Sequence, residues 1–72
     1  MNYFYLVVWN YDELTFVRKI FLNKKEAIKY GRAQATQAQL EGWIYAEYVL
    51  YRQPITKTGT LERVCTLEPF KK

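Results

Sequence analysis

The sequence predicts an α+β fold: a ββαββ open-faced sandwich, with a four-stranded, mainly antiparallel sheet and one helix packed on one face. Three observations carry it. Two apolar runs bracketed by turn residues lie on either side of a single stretch with helical periodicity. That stretch begins at Asn23-Lys24-Lys25-Glu26, a helix-start signature, and ends at Gly42. The loop between the first two apolar runs is short enough for a hairpin.

Strand one is expected over about 2–9. Asn10-Tyr11-Asp12-Glu13 follows as a polar turn, because Asn and Asp side chains stabilise turns through their own backbone. Strand two is expected over about 14–22. The helix is expected over about 24–41, with Asn23 as N-cap, Glu26 three positions on, and Gly42 as the residue after the C-cap. Its apolar face is Ala27, Ile28, Gly31, Ala35 and Ala38. Most of these are small, which lets a helix lie close on a sheet. A glycine inside a helix costs ~1 kcal/mol against alanine, so Gly31 suggests a packing reason. Strand three is expected over about 43–53 and stops at Pro54, which cannot donate to a ladder. A loop to Gly59 precedes strand four, expected over about 60–68 and ended by Pro69. Residues 1–72 read as one domain.

Composition excludes several chemistries. The 72 residues contain no histidine and no serine, one aspartate and one cysteine. Ser–His and Cys–His nucleophilic catalysis are therefore out of reach within one chain. A zinc site would have one Cys and no His, so no metal and no cofactor is expected. The chain is expected not to be an enzyme. Cys65, flanked by Val64 and Thr66, reads as a small buried hydrophobe, and a single cysteine fits a reducing, cytoplasmic setting. No apolar run approaches the ~20 residues of a membrane span. The net charge of +4 permits attraction to nucleic acid without requiring it.

Strand parity supplies the candidate site. Tyr3-Phe4-Tyr5-Leu6-Val7-Val8-Trp9 has no polar face, and Trp43 to Tyr51 nearly repeats the pattern. Alternate residues of a strand point to opposite faces. Phe4, Leu6 and Val8 are expected in the core, with Leu14, Phe16, Arg18 and Ile20 from strand two, Tyr48 and Leu50 from strand three, and Cys65 and Leu67 from strand four. The opposite face would then carry Tyr3, Tyr5, Val7, Trp9, Val17, Trp43, Tyr45, Val49 and Tyr51. One helix shields one face of a sheet about 19 Å wide, so this aromatic set is expected to be uncovered. Exposed apolar patches mark interaction sites, and Tyr and Trp are enriched at interfaces. Tyr3, Tyr5, Trp9, Trp43, Tyr45 and Tyr51 are thus the expected protein-binding residues, with Trp43 and Tyr45 as anchors. The expected partner is another protein, including a second copy in a homodimer. The alternative is nucleic-acid binding by Lys24, Lys25, Lys29 and Arg32, of which Lys25, Lys29 and Arg32 form a ridge on the outer side of the helix. Surfaces that stack bases need positive charge alongside the aromatics, and parity separates the two here.

The segment Val17-Arg18-Lys19-Ile20-Phe21-Leu22-Asn23-Lys24-Lys25-Glu26-Ala27 resembles a strand-to-helix junction of many small phage and bacterial proteins. Miniature α+β inhibitors of host defence, anti-CRISPR proteins among them, share this kind of architecture. The resemblance implies a phage or mobile-element accessory or inhibitor protein and transfers no functional residue.

Overall fold

The computed structural model describes residues 3–43, 46–55 and 60–70. Its elements are β1 (Tyr3–Tyr11), β2 (Leu14–Phe21), α1 (Lys24–Leu40), β3 (Ala46–Pro54) and β4 (Glu62–Leu67). The four strands form one sheet in the order β2-β1-β3-β4, every neighbouring pair antiparallel. The single helix lies on it, mainly over the two central strands β1 and β3. The expected ββαββ open-faced architecture is the one present.

Local chemistry explains the joints. Asp12 and Glu13 alone connect β1 to β2, and Asp12 takes φ +57°, a left-handed conformation that Asp tolerates better than most residues. Asn23 is extended and its side-chain oxygen accepts from the Glu26 N–H at 3.1 Å, satisfying one of the orphan donors of the first turn. At the other end Gly42 has φ +86°, and the Trp43 N–H donates to the Ala38 carbonyl at 3.0 Å. The chain therefore turns out of the helix one residue before Trp43. Trp43 sits in that turn, not in strand three as expected, and residues 44–45 lie outside the described ones.

The core forms between α1 and the sheet. Val7, Ala27, Ala35, Tyr48, Leu50 and Leu67 are its buried members, and Tyr5, Trp9, Phe21 and Tyr30 pack around them. Gly31 is buried at the closest approach: a Cβ there would collide with the end of Leu67 and stand 3.4 Å from Val7. The small helix residues let α1 settle onto Val7, Leu50 and Leu67, while aromatic rings fill the wedges along its flanks.

This arrangement corrects the expected parity of β1 and part of β2. Tyr5, Val7 and Trp9 face the helix, and Phe4, Leu6 and Val8 face away. Each strand of β1 composition is apolar on both sides, so alternation alone could not say which side meets the helix. In β2 the register slips between Val7 and Val8 of its partner: Val7 pairs with Lys19, but Val8 pairs with Val17. Arg18 is the extra residue of a β-bulge. Across it the facing changes, so Phe16 shares the helix side with Phe21 while Val17 and Ile20 share the other. A second slip places Leu50 opposite Cys65 and Tyr51 opposite Arg63, leaving Val64 as the extra residue of β4. Cys65 is exposed on this edge strand, contrary to the burial expected for it.

Candidate functional site

Two surfaces stand out. The first is the sheet face turned away from α1. Two cross-strand rows run over it: Val17, Val8, Val49 and Thr66, then Ile20, Leu6, Tyr51 and Arg63. Phe4 extends it next to Gln53, and Glu47 marks the opposite end beside Asn10. Among the described residues no second layer lies over this face. Its centre is nevertheless dry, with Val8 3% and Val49 1% exposed. Its β2 side is open, with Val17 54% and Ile20 56% exposed. Charge appears only at the margins, in Glu47 and in Arg63, whose Nη2 donates to the Thr66 hydroxyl at 2.7 Å.

The second surface lies on the helix side, where α1 leaves β2 uncovered. Trp9 stacks with Phe16 at 5.6 Å and with Tyr11 at 5.7 Å between ring centroids. Trp43 stands edge-on to Trp9 at 5.9 Å and to Tyr11 at 5.2 Å. Glu41 holds this wall: its Oε1 accepts from the Trp43 indole N–H at 3.3 Å and its Oε2 from Gln37 Nε2 at 2.8 Å. The bulge sends Arg18 over the Trp9 ring, 6.0 Å from its centroid. Trp9, Trp43, Tyr48, Arg18, Gln34 and Glu41 line a pocket of about 280 Å³. Burial pushes the Tyr48 hydroxyl above its ordinary pKa, with Arg18 pulling the other way and Tyr30 and Glu41 adding to the rise. A larger hollow of about 440 Å³ opens between α1 and the β3–β4 end, with Trp43 and Ala46 among its lining residues.

The expected binding residues are therefore divided. Tyr3, Tyr5 and Trp9 lie on the helix side, Trp43 joins them from the turn, Tyr51 stays on the open face, and Tyr45 lies outside the described residues. The uncovered face is aliphatic with a few rings, not the aromatic set expected. The separation of basic and aromatic residues also changes, since Arg18 lies on Trp9, and Lys19 lies 5.2 Å from the Phe21 centroid and 5.3 Å from that of Tyr30. On the helix, Lys24, Lys25 and Lys29 are exposed. Arg32 is engaged: its Nε donates to the Glu68 carbonyl at 3.2 Å and its guanidinium lies 4.5 Å from the Phe70 ring centroid. The Phe70 N–H donates to the Thr36 hydroxyl, which fixes the segment after β4 along the helix.

Arg18 is expected from the sequence in the core-facing set of strand two or, in the nucleic-acid reading, at the sheet rim with Arg52 or Arg63; its place over the Trp9 ring is not foreseen. Strict alternation puts Phe16 and Ile20 on one face and Val17 and Phe21 on the other, so nothing in Phe16-Val17-Arg18-Lys19-Ile20-Phe21 calls for a bulge.

No family model, curated protein or solved structure matches this chain. Among the described residues no helix is long and apolar enough to cross a membrane.

Proposed function

We propose that this chain is a small, non-enzymatic protein-binding module that docks through the open face of its sheet, with a second copy of itself as the first occupant. The observation that supports this is the group of exposed apolar side chains Val17, Ile20 and Phe4 on a face that no second layer covers among the described residues. An isolated apolar side chain on a surface is ordinary, but a contiguous apolar patch across β2, β1 and β3 is a site in want of a partner.

Size and charge favour a second copy. Four strands at ~4.8 Å spacing and about 25 Å of strand give on the order of 500 Å² in projection, and side-chain relief raises the accessible area toward the ~800 Å² per partner of a standard interface. Two-fold interfaces are self-complementary, so a residue on one margin meets its counterpart's opposite margin. Glu47 and Arg63 lie on different margins and carry opposite charges, which suits such an exchange. The product would be a four-layer helix–sheet–sheet–helix sandwich, with the sheets ~10 Å apart.

The single cysteine is compatible with a cytoplasmic home, and the strand-to-helix junction with a phage or mobile-element accessory or inhibitor role. The helix lysines supply the second reading, nucleic-acid binding, which engagement of Arg32 by Glu68 and Phe70 weakens.

Sedimentation equilibrium of the wild type and of Ile20→Glu tests the proposal. The wild type is expected at twice its 8.7 kDa chain mass, and the variant at the chain mass with unchanged circular dichroism. A wild type that remains monomeric at about 100 μM puts any self-association above the micromolar range and overturns the dimer.

A further inference from the structure

We propose that Glu68-Pro69-Phe70, the segment after β4, is a strap that gates the larger hollow between α1 and the β3–β4 end. The hollow lies on the helix side of the sheet, so the inference stands apart from the dimer reading of the open face.

The strap is held on α1 at two positions one helical turn apart. At the first, Arg32 Nε donates to the Glu68 carbonyl at 3.2 Å. At the second, the Phe70 N–H donates to the Thr36 hydroxyl at 2.9 Å, and that hydroxyl donates onward to the Arg32 carbonyl at 2.8 Å. The Arg32 guanidinium also lies 4.5 Å from the Phe70 ring centroid. Pro69 bridges the two anchors; it has no N–H to leave unpaired and its φ is preset. Glu68 and Pro69 line the hollow together with Ala35, Ala38 and Leu67. Ala35 is 7% and Leu67 3% exposed, so the strap stands beside the part of the core nearest the hollow.

These contacts make a latch and not a fixed wall. They lie at the surface, and the Phe70 ring itself is 42% exposed. A surface hydrogen bond or cation–π contact shifts an equilibrium by about two- to ten-fold, and the entropy of ordering three residues opposes it. The anchors also belong to α1 alone. The last ladder residue of β4 is Leu67, paired with Tyr48, so release of Glu68 to Phe70 breaks no sheet pairing. Local openings of this kind need far less free energy than global unfolding. The volume of about 440 Å³ falls within the range of small-molecule sites, which gives the gate a space to control.

Hydrogen exchange at the Phe70 amide and thiol labelling in the hollow test the gate together. The Phe70 amide is expected to exchange about three-fold or more slowly than in an unstructured chain, and Thr36→Val, which removes its acceptor at nearly constant shape, should abolish that protection. An unprotected Phe70 amide in the wild type overturns the strap. Labelling uses iodoacetamide on a Cys65→Ala background, since Cys65 is exposed and would itself react. Ala35→Cys sets the reporter in the hollow, with Ala38→Cys as a second position where packing is looser. The reporter should react at least about ten-fold more slowly than in the urea-unfolded chain. Phe70→Ala and Thr36→Val should each speed it about three-fold beyond any shift in the unfolding equilibrium of the same chain. A reporter that reacts in the folded chain as fast as in the unfolded one shows a hollow already open and overturns the gate. So does labelling that both strap variants leave unchanged once the unfolding shift is allowed for.

Discussion

The two faces of the sheet are built from the same strands and solve burial differently. On the helix side, Val7 and Leu50 are cross-strand partners and both are 0% exposed. One residue along, Val8 and Val49 are also partners, at 3% and 1%, on the face where no second layer lies among the described residues. The first pair is sealed by Gly31, Ala35 and Leu67 from elsewhere in the fold. The second lies on the face turned away from α1. Equal burial thus reflects two situations: one pair under the helix, the other on the face turned away from it. Changes to the first should alter folding, and changes to the second should alter assembly.

The largest expected effect tests the completed side. Leu50→Ala removes a fully buried side chain and leaves a cavity under α1, so it should cost about 2–5 kcal/mol in denaturant unfolding. Because the helix face is intramolecular, the loss should be the same at every protein concentration. A loss that shrinks as concentration rises would place Leu50 in the interface and undo the distinction.

Gly31→Ala should come next. Its new Cβ meets Leu67, which is buried and has little freedom to yield. Overpacking costs ~1–3 kcal/mol and the better helix former returns ~1, for a net loss of about 1 kcal/mol. A stabilised variant would show that α1 can lift from the sheet without penalty.

A pH series sharpens the same side at smaller scale. Tyr48 keeps its proton above the usual tyrosine pKa of about 10 in the folded chain, chiefly through burial. Above pH 10 the unfolded chain loses that proton first and holds fewer protons than the folded one, so stability falls as pH climbs through the folded pKa. Below pH 10 this contribution is fully present and flat. Tyr48→Phe should remove that part of the alkaline decline, measured as the difference between the two chains' stability curves from pH 8 upward.

The smallest effect on folding belongs to the open face. Ile20→Glu alters a side chain 56% exposed and should leave monomer stability within about 0.5 kcal/mol. Its effect should appear instead as a melting temperature that no longer rises with concentration. A large loss in the monomer itself would mean that the open face is part of the folding core.

Element order, the turn at Asp12, the cap at Asn23 and the close packing at Gly31 were legible in the sequence because each rests on a local rule. The site was less so. Nothing in Tyr3 to Trp9 distinguishes one face of β1 from the other, since both are apolar. The small residues on α1 held a clue: a helix face of Ala and Gly leaves its flanks to be filled by bulky rings from the sheet, which assigns Tyr5, Trp9 and Phe21 to the helix side. Residue Trp43 was placed in a strand because its neighbours are strand formers, whereas Gly42 returns it to the helix end, where Glu41 captures its indole.

The Arg18 bulge has a consequence for what the chain does not become. Strand β2 lies at the sheet's edge and exposes Leu14, Phe16, Val17 and Ile20, the composition of a template for open-ended strand addition. An extra residue in mid-strand breaks the even ladder a newcomer would have to match, and two adjacent cations, Arg18 and Lys19, sit at the break. A flat edge of this hydrophobicity would invite open-ended strand addition; the kinked, charged one opposes it.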